Sequence, residues 1–212
     1  MKDNGLLVQY FNANTPADQT LWAKAVKDAA TLKKLGATAV WFPPATKGAA
    51  GKDDRGYAPY DLYDLGEFNQ KGSVGTRYGT KKEYLEAIDA MKTQGINVYA
   101  DIAVRQKLGA DSVEKVTAAD FNAKDIPQMI GNKKIVGALS KFTFAGRRSK
   151  YSKFKWNWNH FAGIDWQQDD FKKRVCELSG MTEEEAEKKY KLSKYDYIIG
   201  SELDLYNQEV YD

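Results

Sequence analysis

Apolar positions in the first half of the chain alternate between strand-like and helix-like spacing. Residues 6–11 and 37–42 are short, mostly apolar runs that are typical of buried strands. Between them, apolar residues recur every three to four positions, which predicts a helix over about 19–35 that ends at Gly36. The buried face of this helix is predicted to consist of Trp22, Val26, Ala29 and Leu32.

A second helix and a third strand follow a long loop. Thr80 and Glu83 have the spacing of a capping box, which predicts a helix from there to Gly95. Its buried face is predicted to consist of Tyr84, Ile88 and Met91. Residues 96–104 then form the third predicted strand. This order, with short helix-to-strand turns, indicates parallel strands joined by right-handed crossovers.

Two α/β folds begin in this way, the (β/α)8 TIM barrel and the doubly wound sheet. No Gly-rich phosphate loop follows the first strand, and the long loop follows the C-terminal end of a strand, where barrels place their active sites. Both features favour the barrel. Three strands cannot close a barrel of about eight, so we predict an incomplete barrel whose other strands come from further chain or from a second copy.

The pattern changes near residue 105, beyond which the strand–helix unit does not repeat. Residues 105–212 have the pattern of loops and short β segments, with an aromatic strand predicted at 154–158. A short charged helix is predicted over 182–191 and a final strand over 195–205.

Composition and charge exclude several kinds of chemistry. The one cysteine, Cys176, excludes an internal disulfide and a thiolate metal cage, and the one histidine, His160, excludes a two-histidine metal site. The net charge of +3 does not by itself indicate nucleic acid or a membrane surface. No apolar run reaches the roughly 18 residues of a membrane span. The polar N-terminus lacks a signal-peptide core, so we expect a cytoplasmic protein.

Four features are candidates for chemistry. The loop 56–68 sets three tyrosines among three carboxylates, as a sugar site or a packed Ω-loop would. Asp101, at the end of the third strand, faces a barrel's catalytic side, caps a loop or pairs with Arg105. The stretch 141–161 holds six basic residues and no acid among aromatics. It fits a strand over an aromatic core or a sugar-binding lip better than a single-stranded nucleic-acid groove. The fourth is an acidic cluster, part of a calcium shell or a solvated face, made of Asp196, Glu202 and Asp204.

Taken together, these segments resemble the α-amylase family of glycoside hydrolases, of the liquefying bacterial type. The resemblance rests on residues 9–11, 39–48, 56–68, 70–72, 77–81, 95–101, 152–166 and 195–197. It implies that residues 1–104 are the first part of a (β/α) barrel and that residues 105–212 are a β-rich domain inserted after the third strand.

The resemblance also implies an activity, the retaining hydrolysis of α-1,4-glucans in starch and carbohydrate metabolism. Such enzymes hold an aspartate nucleophile and a glutamate acid/base about 5–5.5 Å apart. The family places these residues after its fourth and fifth strands, and a further aspartate after its seventh, none of which lies within 1–212. We therefore expect these residues to be a truncated pseudoenzyme, inactive alone. A non-catalytic glucan-binding or regulatory module is the alternative, and nucleic-acid binding through 141–161 is a third hypothesis.

Three positions correspond to the family's sugar contacts, and two replacements weaken its calcium site. Tyr57 stands at the sugar-stacking position, Asp101 is kept, and Gln106 replaces a histidine. Arg105 replaces an asparagine ligand and Ala162 replaces an aspartate ligand of calcium. Because a guanidinium repels the ion, we expect a degraded metal site at Asp196, Glu202 and Asp204. The expected partners are an α-glucan and either the remaining half of the barrel or a second copy.

Overall fold

The computed structural model describes residues 5–121, 129–166, 173–177, 201–205 and 207–211. The chain divides into two compact units. The first contains Met1–Val104 and Ala145–Ser152, and the second contains Arg105–Phe144 and Lys153–Asp212. We call residues 145–152 the strap, because they pack with the first unit although the chain on both sides belongs to the second.

The first unit is a layer of helices on a parallel sheet. Its elements are β1 (Leu7–Gln9), α1 (Leu21–Lys34), β2 (Ala39–Phe42), β3 (Lys47–Gly48), β4 (Pro59–Asp61), α2 (Lys81–Thr93) and β5 (Asn97–Ala100). The parallel strands lie in the order β1-β2-β5, while β3 and β4 form a two-stranded antiparallel ribbon. The predicted α/β class, with its strand–helix order, is therefore confirmed.

The core of the first unit lies between the sheet and its two helices. Val8, Val40 and Val98 are in register across the three strands and pack on the helix side. Trp22 on α1 is fully buried, with its ring centroid 4.8 Å from that of Tyr84. The predicted face of α1 is right except at Val26, which is 40% exposed.

The structure contains the capping and turn residues that predicted the boundaries of the two helices. The hydroxyl of Thr80 accepts a hydrogen bond from the backbone N–H of Glu83, and Glu83 Oε2 accepts one from Thr80 N–H at 2.8 Å. The capping box is therefore confirmed. Gly36 follows α1 with φ of +88°, a conformation that glycine adopts without strain.

The opposite face of the parallel sheet is open within the described part of the chain. Leu7 and Tyr99, which point away from the helices, are 54% and 59% exposed. Among the described strands, β1 and β5 each pair on one side only. Two edges are thus open to pairing with further strands, and the open face exposes the apolar side chains of Leu7 and Tyr99.

In the second unit, the described residues form an antiparallel sheet of six strands. Its elements are β6 (Gln106–Lys107), β7 (Ser112–Phe121), β8 (Met129–Lys141), β9 (Phe161–Trp166), β10 (Lys173–Glu177), β11 (Ser201–Leu203) and the short helix α3 (Gln208–Tyr211). The strands lie in the order β6-β11-β9-β10-β7-β8. Phe142, Phe144 and Phe161 pack with ring centroids about 6 Å apart and are buried.

The three elements predicted for the second unit have different outcomes. The strand at 154–158 is wrong: Trp158–His160 form a 3-10 turn, because the Asn157 side chain accepts a hydrogen bond from Asn159 N–H and the His160 ring accepts one from Asn157 N–H. The helix over 182–191 lies outside the described residues. The predicted final strand over 195–205 is described only from residue 201, and β11 forms there over Ser201–Leu203.

A membrane span requires a long apolar helix, and the described part of the chain contains none.

Candidate functional site

The centre of the site is a hydrogen bond between Tyr57 and Asp101. Tyr57 lies in the loop between β3 and β4, and Asp101 directly follows β5. The phenol oxygen donates to Asp101 Oδ2 at 2.6 Å, while the side chain of Tyr57 stays 45% exposed. Burial of the hydroxyl, and then the hydrogen bond to the carboxylate, raise the pKa of Tyr57. The phenol therefore stays a neutral donor, and its ring is fixed with one part open to solvent.

The turn that carries Tyr57 requires glycine at the preceding position. Gly56 has φ of +92°, and a Cβ there would lie 2.6 Å from the Cβ of Pro44. Its N–H donates to Asp54 Oδ1 at 2.7 Å. Beyond Tyr57, the N–H of Ala49 donates to the carbonyl of Ala58 at 2.8 Å. The backbone is thus held by hydrogen bonds on both sides of Tyr57.

Two of the loop's carboxylates are buried in ion pairs rather than offered to a ligand. Asp64 and Lys47 have fully buried side chains, and Lys47 Nζ lies 3.6 Å from Asp64 Oδ2. The ammonium also donates to the carbonyls of Phe68, Ser73 and Val74. Burial lowers the pKa of Lys47, and the nearby Asp64 opposes that shift. The buried ammonium of Lys47 therefore holds together the backbone of the loop around it.

Asp61, the second buried carboxylate, pairs with the strap. Its Oδ2 accepts from Arg147 Nε at 2.7 Å, and both side chains are 1% exposed. Gln70 Nε2 joins the two carboxylates, donating to Asp61 at 2.9 Å and to Asp64 at 3.0 Å. Two of the acids therefore pack the loop, as the Ω-loop hypothesis expects, while the sugar site at the exposed Tyr57 stays a prediction.

The third carboxylate of the loop, Glu67, holds the outer side of the strap. Its carboxylate accepts from Lys81 Nζ at 2.7 Å, from Lys150 Nζ and from the Tyr151 hydroxyl at 2.7 Å. Lys150, then Lys81 and Tyr151, lower the pKa of Glu67 to about 2.

This low pKa predicts a pH-dependent stability. The pKa of Glu67 is lower in the folded chain than the ordinary 4.5, so its contribution is complete above about pH 4.5 and is lost as the pH falls towards 2. We expect the melting temperature of Glu67→Gln to lie below that of the wild type at pH 6, and the gap to close by about pH 2. Thermal melts followed by circular dichroism across this range test it.

Glu86 provides a matched control for that series. It forms an exposed pair with Lys82 on α2, with 3.6 Å between Oε1 and Nζ. Glu86→Gln should produce little difference at any pH. A gap for Glu67→Gln that stays constant from pH 6 to 2 would contradict the predicted linkage.

The remaining predicted site residues fall in the second unit. Gln106 lies on β6 opposite Glu202 of β11, while Tyr57 and Asp101 belong to the first unit. Asp204 is buried, and its N–H donates to the carbonyl of His160 at 2.8 Å. Asp196 and the side chain of Glu202 lie outside the described residues. The structure therefore brings together Tyr57 and Asp101 of the predicted set.

The described residues do not fit a calcium ion. Calcium needs six to eight oxygen ligands, yet among the described residues no group of three or more His, Cys, Asp or Glu side chains could hold a metal. Near the predicted site, the carbonyl of Arg105 accepts from Leu203 N–H at 3.0 Å. We assign no chemistry to calcium, and a contribution from Asp196 and Glu202 stays a prediction.

Three aromatic rings and one arginine of the basic and aromatic stretch 141–161 are used in packing. Phe142, Phe144 and Phe161 are buried, and so is Arg147 in its ion pair. Single-stranded nucleic acid needs exposed ring faces along a basic groove. The arrangement favours the aromatic-core interpretation of this stretch.

Sequence reasoning missed the Lys47 and Arg147 ion pairs. Arg147 lies 86 residues from Asp61, so no local spacing could indicate their contact. The unusual run of acids in the loop 56–68, together with a basic residue between two apolar segments at position 47, was the available signal. Acids inside a tightly packed loop need buried cations to balance them.

The chain is similar in sequence to several α-amylases. It is 45% identical to an α-amylase from Geobacillus stearothermophilus over 98% of this chain and 38% of that protein. Identity is 42% with an α-amylase from Bacillus licheniformis, over 98% of this chain and 40% of the relative. It is 36% with the cytoplasmic α-amylase of Escherichia coli K12, over 98% and 42%. The chain thus spans about two fifths of these relatives, and no protein-family model matches it.

Solved structures show the same fold at lower identity. A truncated alternansucrase from Leuconostoc mesenteroides superimposes with a TM-score of 0.53 and 24% identity, over 69% of this chain and 14% of that one. Alternansucrase in complex with isomaltononaose matches equally well, over 69% and 13%. At this identity the likeness concerns the fold alone.

Proposed function

We infer that this chain belongs to the α-amylase family of glycoside hydrolases, whose N-terminal part it matches, and we propose that it binds an α-1,4-glucan on Tyr57. The observation that carries the proposal is the exposed ring of Tyr57, held to Asp101 by a 2.6 Å hydrogen bond at the end of a parallel strand. Ends of parallel strands are where α/β barrels collect their substrate contacts.

The chemistry of the pair suits a sugar. An aromatic face stacks on the apolar C–H face of a pyranose ring, and a carboxylate accepts hydrogen bonds from hydroxyl groups. Asp101 Oδ2 already accepts from Tyr57, which leaves acceptor capacity on the carboxylate for a ligand. Because the hydrogen bond to Asp101 already restrains the ring of Tyr57, little side-chain freedom is lost on binding.

We further propose that β1, β2 and β5 are the first three strands of a (β/α)8 barrel. Support comes from the sheet itself: Val8, Val40 and Val98 face the helices, while Leu7 and Tyr99 on the other face are exposed. In a barrel this second face is the filled interior. Further strands, from the rest of the protein or from a second copy, would pair with the free edges of β1 and β5.

The reaction that we propose for the whole protein is retaining hydrolysis of α-1,4-glucans. It needs two carboxylates about 5–5.5 Å apart, which the family resemblance does not assign to any of these 212 residues. Residues 1–212 should therefore bind but not hydrolyse by themselves. The non-catalytic binding or regulatory module makes the same prediction for this chain and differs only for the whole protein. A cytoplasmic location remains part of the proposal.

Substitution of Tyr57 tests the binding proposal. We expect Tyr57→Ala to raise the Kd for maltoheptaose about tenfold, because the stacking surface is lost. Tyr57→Phe keeps the ring and loses the bond to Asp101, so the expected increase is smaller, about threefold. Isothermal titration calorimetry measures both.

Trp158 serves as the control, since it is an aromatic residue of similar exposure in the second unit. Trp158→Ala should leave the Kd unchanged. Absence of binding by the wild-type chain, or equal losses for Tyr57→Ala and Trp158→Ala, would refute the assignment to Tyr57. A reducing-end assay on the same samples should show no hydrolysis, and turnover would refute the claim that residues 1–212 are inactive alone.

A further inference from the structure

Arg147 makes three hydrogen bonds from a buried position in the strap. Its Nε donates to Asp61 Oδ2 at 2.7 Å, and one terminal nitrogen donates to the carbonyls of Lys150 and Ser152 at 2.7 and 2.8 Å. Its guanidinium carbon also lies 5.2 Å from the ring centroid of Tyr63. The bond to Asp61 is also a buried ion pair. One side chain thus shapes the strap and holds the loop at the same time.

The strap fits closely against the loop that Arg147 holds. A Cβ on Gly146 would lie 2.3 Å from the carbonyl oxygen of Asn69, so the two backbones are in direct contact. Arg148 and Tyr151 have φ of 57° and 70°. Residues other than glycine adopt this region at a cost and keep it where surrounding contacts enforce it. The strap is therefore a tightly held segment rather than a loose connection.

Asp61 connects this ion pair to the ligand-binding ring. It is the last residue of β4, and it is in register with Lys47 of β3. Tyr57 lies two residues before β4 begins, and the N–H of Ala49 fixes the intervening carbonyl of Ala58. A displacement of Asp61 moves β4, and β4 carries the backbone that places the Tyr57 ring.

From these contacts we propose that Arg147 is a positioning residue, which acts through Asp61 to set where the Tyr57 ring stands relative to Asp101. The inference rests on the proposed glucan-binding function and deepens it, because it extends the site's determinants to the strap. Lysine cannot replace arginine here, since a single ammonium does not reproduce the planar fork that reaches Asp61 and the two strap carbonyls together.

A spectroscopic label on Tyr57 tests this without any ligand. We would place 3-fluorotyrosine at position 57 of the 212-residue chain and record its 19F signal in the wild type and in Arg147→Lys. A second variant, Arg147→Met with Asp61→Asn, removes both charges and so leaves no buried ion unpaired. We expect the signal to shift or broaden in both variants, and the Kd for maltoheptaose to rise about threefold to tenfold.

Met91→Ala is the control for a purely structural effect. Met91 is fully buried on α2, among the helix–sheet core residues. This variant should lower the melting temperature and leave the 19F signal at its wild-type position. An unchanged 19F signal in both folded Arg147 variants would overturn the proposal. If the wild type fails to bind maltoheptaose, the glucan function fails, and the 19F signal still decides the positioning role.

Discussion

Replacing Asp64 by alanine is expected to lower the free energy of unfolding by about 3–5 kcal/mol, the usual cost of removing one partner from a buried ion pair. Its Oδ1 accepts from the N–H groups of Gly66, Glu67 and Phe68 at 2.9, 2.8 and 3.3 Å. Its Oδ2 faces Gln70 and Lys47. The variant leaves the ammonium of Lys47 buried without this carboxylate, and it leaves the three N–H groups without their acceptor.

Urea unfolding at pH 7 measures this loss. Asp53→Ala is the matched control, since Asp53 pairs with Lys52 at 3.2 Å while 63% exposed. An exposed pair of this kind contributes at most about 1 kcal/mol. Similar losses for the two variants would contradict the assigned role of Asp64. Asp64→Asn, which keeps one acceptor oxygen and lacks the charge, should fall between them.

Trp22→Ala is the second large effect, with an expected loss of about 3–5 kcal/mol. The indole is fully buried, and its ring lies 5.2, 5.6 and 4.8 Å from the rings of Phe42, Tyr78 and Tyr84. Alanine leaves a cavity where α1, α2 and β2 meet, and the neighbouring rings cannot collapse into it without leaving their own contacts.

Trp22→Phe separates the contribution of ring packing from the effect of removing the indole N–H. Trp22 Nε1 is buried and has no hydrogen-bond acceptor among the described residues. Trp22→Phe removes this unsatisfied donor together with part of the ring, so we expect it to cost clearly less than Trp22→Ala. Leu85→Ala, at a 51% exposed position of α2, is the control. A Trp22→Ala loss as small as that of Leu85→Ala, in urea unfolding, would contradict the packing argument.

Local patterns in the sequence predicted the first unit well. The helix spacing around Trp22, the capping box of Thr80 and Glu83, and the turn at Gly36 each depend on residues within a few positions of one another. Val26 is the exception on α1. Its position on the helix is at the margin of the buried face, which spacing alone does not resolve.

The second unit was harder to predict for a physical reason. The long hairpin of β7 and β8 carries exposed apolar residues such as Ile135, which is 72% exposed, so its alternation is weak. The run 154–158 alternates strictly, yet the side chains of Asn157 and His160 form a turn there by bonding to nearby N–H groups.

Local sequence patterns were also insufficient for the candidate site, because its residues meet over long sequence distances. Family resemblance identified Tyr57 and Asp101, which lie 44 residues apart and meet only in the fold. The composition of the loop indicated all three of its acids as candidate ligand contacts, but Asp61 and Asp64 are buried. Whether an acid is offered to a ligand or neutralised by a distant cation depends on tertiary contacts that no short pattern encodes.

The strap has a consequence for the order in which the chain is made. A ribosome releases Asp61 long before Arg147, since 86 residues separate them, and both β7 and β8 lie between them in the sequence. Domains fold as units while synthesis proceeds from the N-terminus, but the first unit cannot pair its buried Asp61 until residue 147 has emerged. A translational pause within 105–144 would therefore delay this ion pair, which belongs to a unit that contains none of those residues.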